Sequence, residues 1–100
     1  MAEQFVLAID QGTSSTKAIL VDATGAVRHT GSAPVGIAYP RPGWVEQDAH
    51  EILASVRTAA ALCLRNADPR SVVAVGLSTQ RESALAWDLS SGRPAGPVLG

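Results

Sequence analysis

The stretch Asp10-Gln11-Gly12-Thr13-Ser14-Ser15-Thr16-Lys17 lies between two apolar runs, Phe5-Val6-Leu7-Ala8-Ile9 and Ala18-Ile19-Leu20-Val21. The flanking runs read as strands, and only a tight turn can join them. Gly12 lets the backbone come close to a ligand, and successive N–H groups of such a turn can point at one anion. Thr13, Ser14, Ser15 and Thr16 add hydroxyls suited to phosphate oxygens. Asp10, at the carboxyl end of the first strand, suits Mg²⁺ held directly or through water, because magnesium keeps most of its waters and takes few carboxylates. Lys17 shares a strand face with Ser15 and would offset phosphate charge. Ordinary hairpin turns use the same residue types, so the turn alone leaves both readings open. Neither a Gly-x4-Gly-Lys loop nor a Gly-x-Gly-x2-Gly turn occurs.

The first run is apolar almost without interruption, which predicts a strand covered on both faces. Residues 16–22 read as a second strand, and Ala23-Thr24-Gly25 as the next turn. A third strand is expected from about Ala26 to Ile37, weakened by Gly31 and Gly36. Tyr39-Pro40-Arg41-Pro42-Gly43-Trp44 then breaks regular structure. A helix follows, with Asp48 as N-cap and Glu51 completing a capping box. Its apolar face is expected at Ala49, Ile52, Leu53, Val56, Ala60, Cys63 and Ala67, and Asp68-Pro69 ends it. Val72 to Leu77 reads as another buried strand, parallel to one of the first three by a right-handed crossover. Ser83 to Trp87 reads as a short fifth strand. The expected order is βββαββ, an α/β arrangement.

Composition excludes several classes. The chain has 100 residues, a formal net charge of −1 and no long charge run, so nothing in it attracts nucleic acid or an anionic membrane. No apolar run approaches the roughly 18 residues a membrane helix needs. The lone Cys63 cannot form an internal disulfide, which fits a reducing compartment, and the expected localisation is cytoplasmic. The sequence stops at Ala95-Gly96-Pro97-Val98-Leu99-Gly100, where an apolar segment is starting, which reads as a piece of a longer protein.

A second candidate site follows the Val72–Leu77 run. In α/β sheets, ligands bind at loops after strand ends. Arg81 beside Glu82 offers donors and an acceptor together, which suits the vicinal hydroxyls of a polyol or sugar. A solvated loop or a surface ion pair fits the same residues. Trp44 reads as a packing anchor, Cys63 and Trp87 as core, and the Pro42–Asp48 segment is assigned no chemistry. His29 and His50 have no partner at metal-ligand spacing.

Three segments, in order, resemble the FGGY carbohydrate kinases at their N-terminal end, the glycerol kinases above all. They are Asp10–Lys17, Pro42-Gly43-Trp44-Val45-Glu46-Gln47-Asp48, and Gln80-Arg81-Glu82 with Ala86-Trp87-Asp88. The resemblance implies an actin-like, ribonuclease-H-type fold, with residues 1–100 forming part of the first of two large domains. It implies an ATP- and Mg²⁺-dependent transfer of the γ-phosphoryl group to a hydroxyl of glycerol or a similar polyol. By the same resemblance, Gly12, Thr13, Ser14, Ser15 and Lys17 meet the nucleotide phosphates, Asp10 lies near magnesium, and Arg81 and Glu82 bind the acceptor. The general base would lie downstream of Gly100, so residues 1–100 alone are expected to be inactive. Glycerol kinases usually carry Arg at the Lys17 position and Thr at the Ser83 position. Xylulose-type relatives carry Gln-Met-His where this chain has Gln80-Arg81-Glu82. The alternative is a pentulose or other sugar kinase of the same family. A non-catalytic actin-like or chaperone-type ATP module, or a ribonuclease-H-like nuclease, accounts for fewer of these residues. The expected partner is a small polyol or sugar, with no nucleic acid and no membrane. A homo-oligomer of the full-length protein is compatible with this reading.

Overall fold

The computed structural model describes residues 3–100, so the first two residues of the expected 1–100 domain lie outside the description. Three strands form an antiparallel meander: β1 (Phe5–Gln11), β2 (Ser15–Asp22) and β3 (Val27–Pro34). After the short β4 (Glu46–Gln47) comes the helix α1 (Ala49–Leu64), then a 3₁₀ turn (Pro69–Ser71) and β5 (Val72–Thr79). β5 pairs in parallel with β1, giving the sheet order β3-β2-β1-β5. A two-residue β6 (Val98–Leu99) pairs antiparallel with β4. The meander, the helix and the parallel return follow the expected order.

α1 packs on one face of the sheet, against β2 and β3. That face and the helix form the core: Phe5, Leu7, Ile9, Ala18, Leu20, Ala33, Ala59 and Cys63 are all buried. The helix comes close because its buried stripe is small, with Ser55, Ala59 and Cys63 each one turn apart. Gly31 makes the approach feasible, since a Cβ there would run into the Ala59 carbonyl. Gly31 therefore serves packing rather than merely weakening β3. The larger apolar residues expected on the inner face, Ile52 and Leu53, sit at its margin instead. Burial pushes the Cys63 thiol above its usual pKa, and Sγ lies 3.6 Å from the His29 carbonyl, so Cys63 is a core residue as expected.

Several expectations fail for identifiable reasons. β1 is expected to be buried on both faces and β5 to be buried, but among the described residues no element covers the sheet face opposite α1. Val6 is half-exposed on that face, whereas Val75 and Leu77, set on the helix side by their pairing with Leu7 and Ile9, are 61% and 67% exposed because α1 lies over β2 and β3 and does not cover β5. Ser83 to Trp87 is not a strand. It makes only isolated bridges, Ala84 with Leu99 and Trp87 with Pro94, as the chain bends back through the turn at Asp88. Trp87 is exposed rather than core, and Trp44 is half-exposed rather than an anchor, with the Arg41 guanidinium 4.9 Å from its ring centroid.

The helix cap is half of the expected box. Asp48 Oδ1 accepts from the His50 amide at 2.8 Å, but Glu51 Oε1 accepts from the Gly36 amide at 2.9 Å instead of returning to Asp48. Gly36 has just left β3, and its amide is an unclaimed donor within Glu51's reach. The helix also stops at Leu64, before Asp68. Asp68 caps the 3₁₀ turn instead, accepting from the Arg70 amide at 2.9 Å. Proline is tolerated at the first position of that turn, where its missing N–H costs nothing.

Candidate functional site

Residues paired across a sheet point to the same side, so the ladder places the candidates directly. Asp10 is paired with Lys17 on one side and Ser78 on the other. Lys17 is in turn paired with Ser32. Ser32, Lys17, Asp10 and Ser78 thus form one polar row across four strands, on the face that α1 leaves open. Asp10, Lys17 and Ser78 also line a hollow of about 400 Å³ whose floor includes Ala8, Ile9 and Ile19. The next row points the other way. Gln11 pairs with Thr16 and Thr79 and faces the helix side.

That alternation corrects one expectation. Thr16 was counted among the phosphate-suited hydroxyls, but it is fully buried, 2.7 Å from Ser55 Oγ. Ser55 donates its own hydrogen to the Ile52 carbonyl at 2.6 Å, so Thr16 is the donor of the pair. Thr13, Ser14 and Ser15 remain exposed at the turn.

The turn is held entirely by its carbonyls. Gln11 Nε2 donates to the Gly12 carbonyl at 2.7 Å, and Gln47 Nε2 to the Thr13 carbonyl at 2.7 Å. The Val35 amide donates to the Ser14 carbonyl and the Gly12 amide to the Ser15 carbonyl, both at 2.9 Å. Among the described residues, the turn and loop hydrogen bonds leave the amides of Thr13 and Ser14 unengaged. Neighbouring backbone N–H groups turned outward make an anion-binding concavity. A Cβ at Gly12 would stand 3.1 Å from the Ser15 carbonyl oxygen, a tight contact that favours glycine at the corner.

Arg81 and Glu82 follow β5 at the same end of the sheet and are exposed, with no ion pair between them among the described residues. Glu82 has φ +59°, a left-handed conformation that a non-glycine residue adopts at a cost of about 1 kcal/mol. Gln80, just before them, reaches back to Gln11 and Gln47. The structure therefore links the turn, the Pro42–Asp48 segment and the Arg81 loop. Gln47 and Gln80 are the residues that sequence reasoning missed. Their quoted motifs held the signal, but nothing local marks which amide meets which carbonyl.

A larger hollow, about 610 Å³, lies beside Gly36, Glu46, Asp48 and Pro97, away from the polar row. It contains none of the candidate residues.

Sheet order, helical cover and strand-end row together define an α/β domain of the actin-like, ribonuclease-H type. Residues 5–99 match the FGGY family of carbohydrate kinases, N-terminal domain, and the chain belongs to that family. It is 44% identical over 96 residues to a glycerol kinase of Xanthomonas euvesicatoria pv. vesicatoria, a match covering 94% of this chain and 19% of that protein. A xylulose kinase from Rhodospirillum rubrum superposes with a TM-score of 0.85 at 26% identity, over 96% of this chain and 20% of that one. Plasmodium falciparum glycerol kinase with ADP gives a TM-score of 0.83 at 26% identity, over 97% of this chain and 20% of that one. The chain thus spans about a fifth of the length of the relatives it matches.

Proposed function

We propose that this domain forms the phosphate-holding half, and the first part of the acceptor half, of an ATP-dependent polyol kinase with glycerol as acceptor. The carrying observation is the turn whose carbonyls are all tied inward, beside a row that sets Asp10 next to Lys17. The outward amides of Thr13 and Ser14, the approach allowed by Gly12, the hydroxyls of Thr13, Ser14 and Ser15, and Lys17 would grip β- and γ-phosphate oxygens. The residues present fit Mg²⁺: one exposed carboxylate, Asp10, at a strand end suits an ion that retains most of its waters. Bound there, the ion would neutralise charge developing on the transferred phosphoryl group. Arg81 and Glu82 would fix the acceptor, the guanidinium donating to one hydroxyl and the carboxylate accepting from its neighbour. Such catalysis is mainly positioning and charge stabilisation. Glycerol is preferred over a pentulose because the named curated relative is a glycerol kinase. Buried Cys63 and the absence, among the described residues, of any helix able to cross a membrane agree with a cytoplasmic enzyme.

The test is a phosphorylation screen of the full-length protein against glycerol and a panel of pentuloses. ATP-dependent transfer to glycerol is expected, and transfer to pentuloses alone would reassign the acceptor. Arg81→Ala should raise the acceptor KM at least tenfold while leaving the ATP KM within about twofold. Equal shifts in both would reject the acceptor role for Arg81.

A further inference from the structure

Three glutamines from distant parts of the chain meet beside the turn. Gln80 Nε2 donates to Gln47 Oε1 at 2.9 Å and to Gln11 Oε1 at 3.3 Å. Gln47 Nε2 donates to the Thr13 carbonyl at 2.7 Å and to the Gly36 carbonyl at 3.3 Å. Gln11 Nε2 donates to the Gly12 carbonyl at 2.7 Å. Backbone carbonyls only accept, so Gln11 and Gln47 must turn their NH₂ groups toward the turn and their oxygens away from it. Those two oxygens in turn demand a donor, and Gln80 supplies it to both. Gln11 and Gln47 are 5% and 7% exposed, so water competes little for these bonds.

The peptide plane turns this network into a control on the phosphate site. In a trans peptide, C=O and the following N–H point in opposite directions. Holding the Gly12 carbonyl inward aims the Thr13 amide outward, and holding the Thr13 carbonyl inward aims the Ser14 amide outward. The residue that orients both glutamines is Gln80, and the next residue in the chain is Arg81.

We propose that Gln47 and Gln80 are positioning residues that lock the phosphate turn and the Arg81–Glu82 loop into one register, so that acceptor hydroxyl and phosphate meet correctly. The inference rests on the kinase reading above. Cutting the link at Gln80 leaves each half-site its own binding groups, but their relative placement is lost. The loss therefore falls on kcat, because a misplacement of about 1 Å can cost two orders of magnitude in rate.

The experiment compares the full-length wild-type enzyme with Gln80→Met, Gln47→Met and the double variant. The readouts are kcat per active site, both KM values and Tm. Either single change should lower kcat on the order of tenfold. For Gln80→Met both KM values should stay within about threefold, whereas Gln47→Met, which also releases the Thr13 carbonyl, should raise the ATP KM as well. The double variant should be no slower than the slower single, since both changes cut the same link. A lowered Tm with unchanged kcat, or kcat losses that multiply, would overturn the proposal. Gln80 is only partly buried, so Gln80→Met decides the matter by itself where Gln47→Met fails to fold. A wild-type enzyme that phosphorylates neither glycerol nor a pentulose rejects the kinase reading and this inference together. A competent wild type with a fully competent Gln80→Met rejects this inference alone.

Discussion

Two hairpin turns of the same sheet, Gly12–Ser15 and Ala23–Ala26, draw on similar residues and end in opposite states. The first lies between two apolar runs and the second between apolar β2 and the largely polar β3, and each has an aspartate at or near the end of the preceding strand. In the second turn, Asp22 Oδ1 accepts from the Thr24 amide, the Thr24 hydroxyl and the Ala26 amide, while the Gly25 amide donates to the Asp22 carbonyl. The amides of Thr24, Gly25 and Ala26 are consumed within the turn. In the first turn the carbonyls are consumed, by Gln11, Gln47, Val35 and Gly12, and two amides face outward. Asp10 takes no part in closing that turn, because its ladder position sets it beside Lys17 on the open face. The comparison teaches that turn composition does not separate a structural corner from a ligand site. The direction of the unpaired backbone dipoles does.

The largest expected difference is between the two aspartates. In the full-length enzyme, Asp10→Ala should lower kcat by on the order of 100-fold or more, as removal of a group acting on transition-state charge does. Asp22→Ala should leave kcat within about twofold and lower Tm instead. Comparable kcat losses for the two variants would dissolve the contrast.

The two turn glycines give a smaller separation. Gly12→Val should raise the ATP KM about tenfold, because the side chain must displace the Ser15 carbonyl that shapes the turn. Gly25 has φ +87° with open space around it, so Gly25→Ala should cost about 1 kcal/mol of stability and leave both KM values alone. An ATP KM that rises with Gly25→Ala would break the comparison.

The smallest effect is a pH dependence confined to the closed turn. The Thr24 hydroxyl, then the Thr24 and Ala26 amides and Arg28, hold the Asp22 carboxyl down from 3.8 to about 2. A carboxyl depressed in the folded state stabilises it above the unfolded pKa, and that contribution is lost as pH falls. The window is therefore pH 4 down to 2, with full contribution at neutrality. An NMR titration of Asp22 with a midpoint near 3.8 would remove this contribution.

Much of the fold was legible because it depends on local signals. Apolar runs marked β1, β2 and β5, the prolines at 40 and 42 marked the break before the helix, and Asp48 marked its start. What failed was information carried by other elements. Val73, Val75 and Leu77 announce a β-strand but not whether anything lies over either face. Glu51 matches a capping box, yet a stray amide at Gly36 outcompetes the Asp48 backbone for it. Lys17 and Ser15 could be placed on one face by counting in twos, which the alternation of β2 bears out, whereas Asp10 joins them only through the ladder. Thr16 fails the same count, since it alternates toward Ser55. Gln80 meets Gln47 across 33 residues and Gln11 across 69, and no local pattern encodes such a meeting.

Glu82 carries a consequence for anyone engineering this domain for robustness. Its φ of +59° is a conformation glycine adopts without strain, so Glu82→Gly removes a local backbone penalty of about 1 kcal/mol. A screen that rewards thermal tolerance or soluble yield alone would favour that substitution, and on the proposed reading it deletes a carboxylate that holds the acceptor. Stability and activity selections should therefore diverge at this single position, and libraries sorted for both should retain glutamate there.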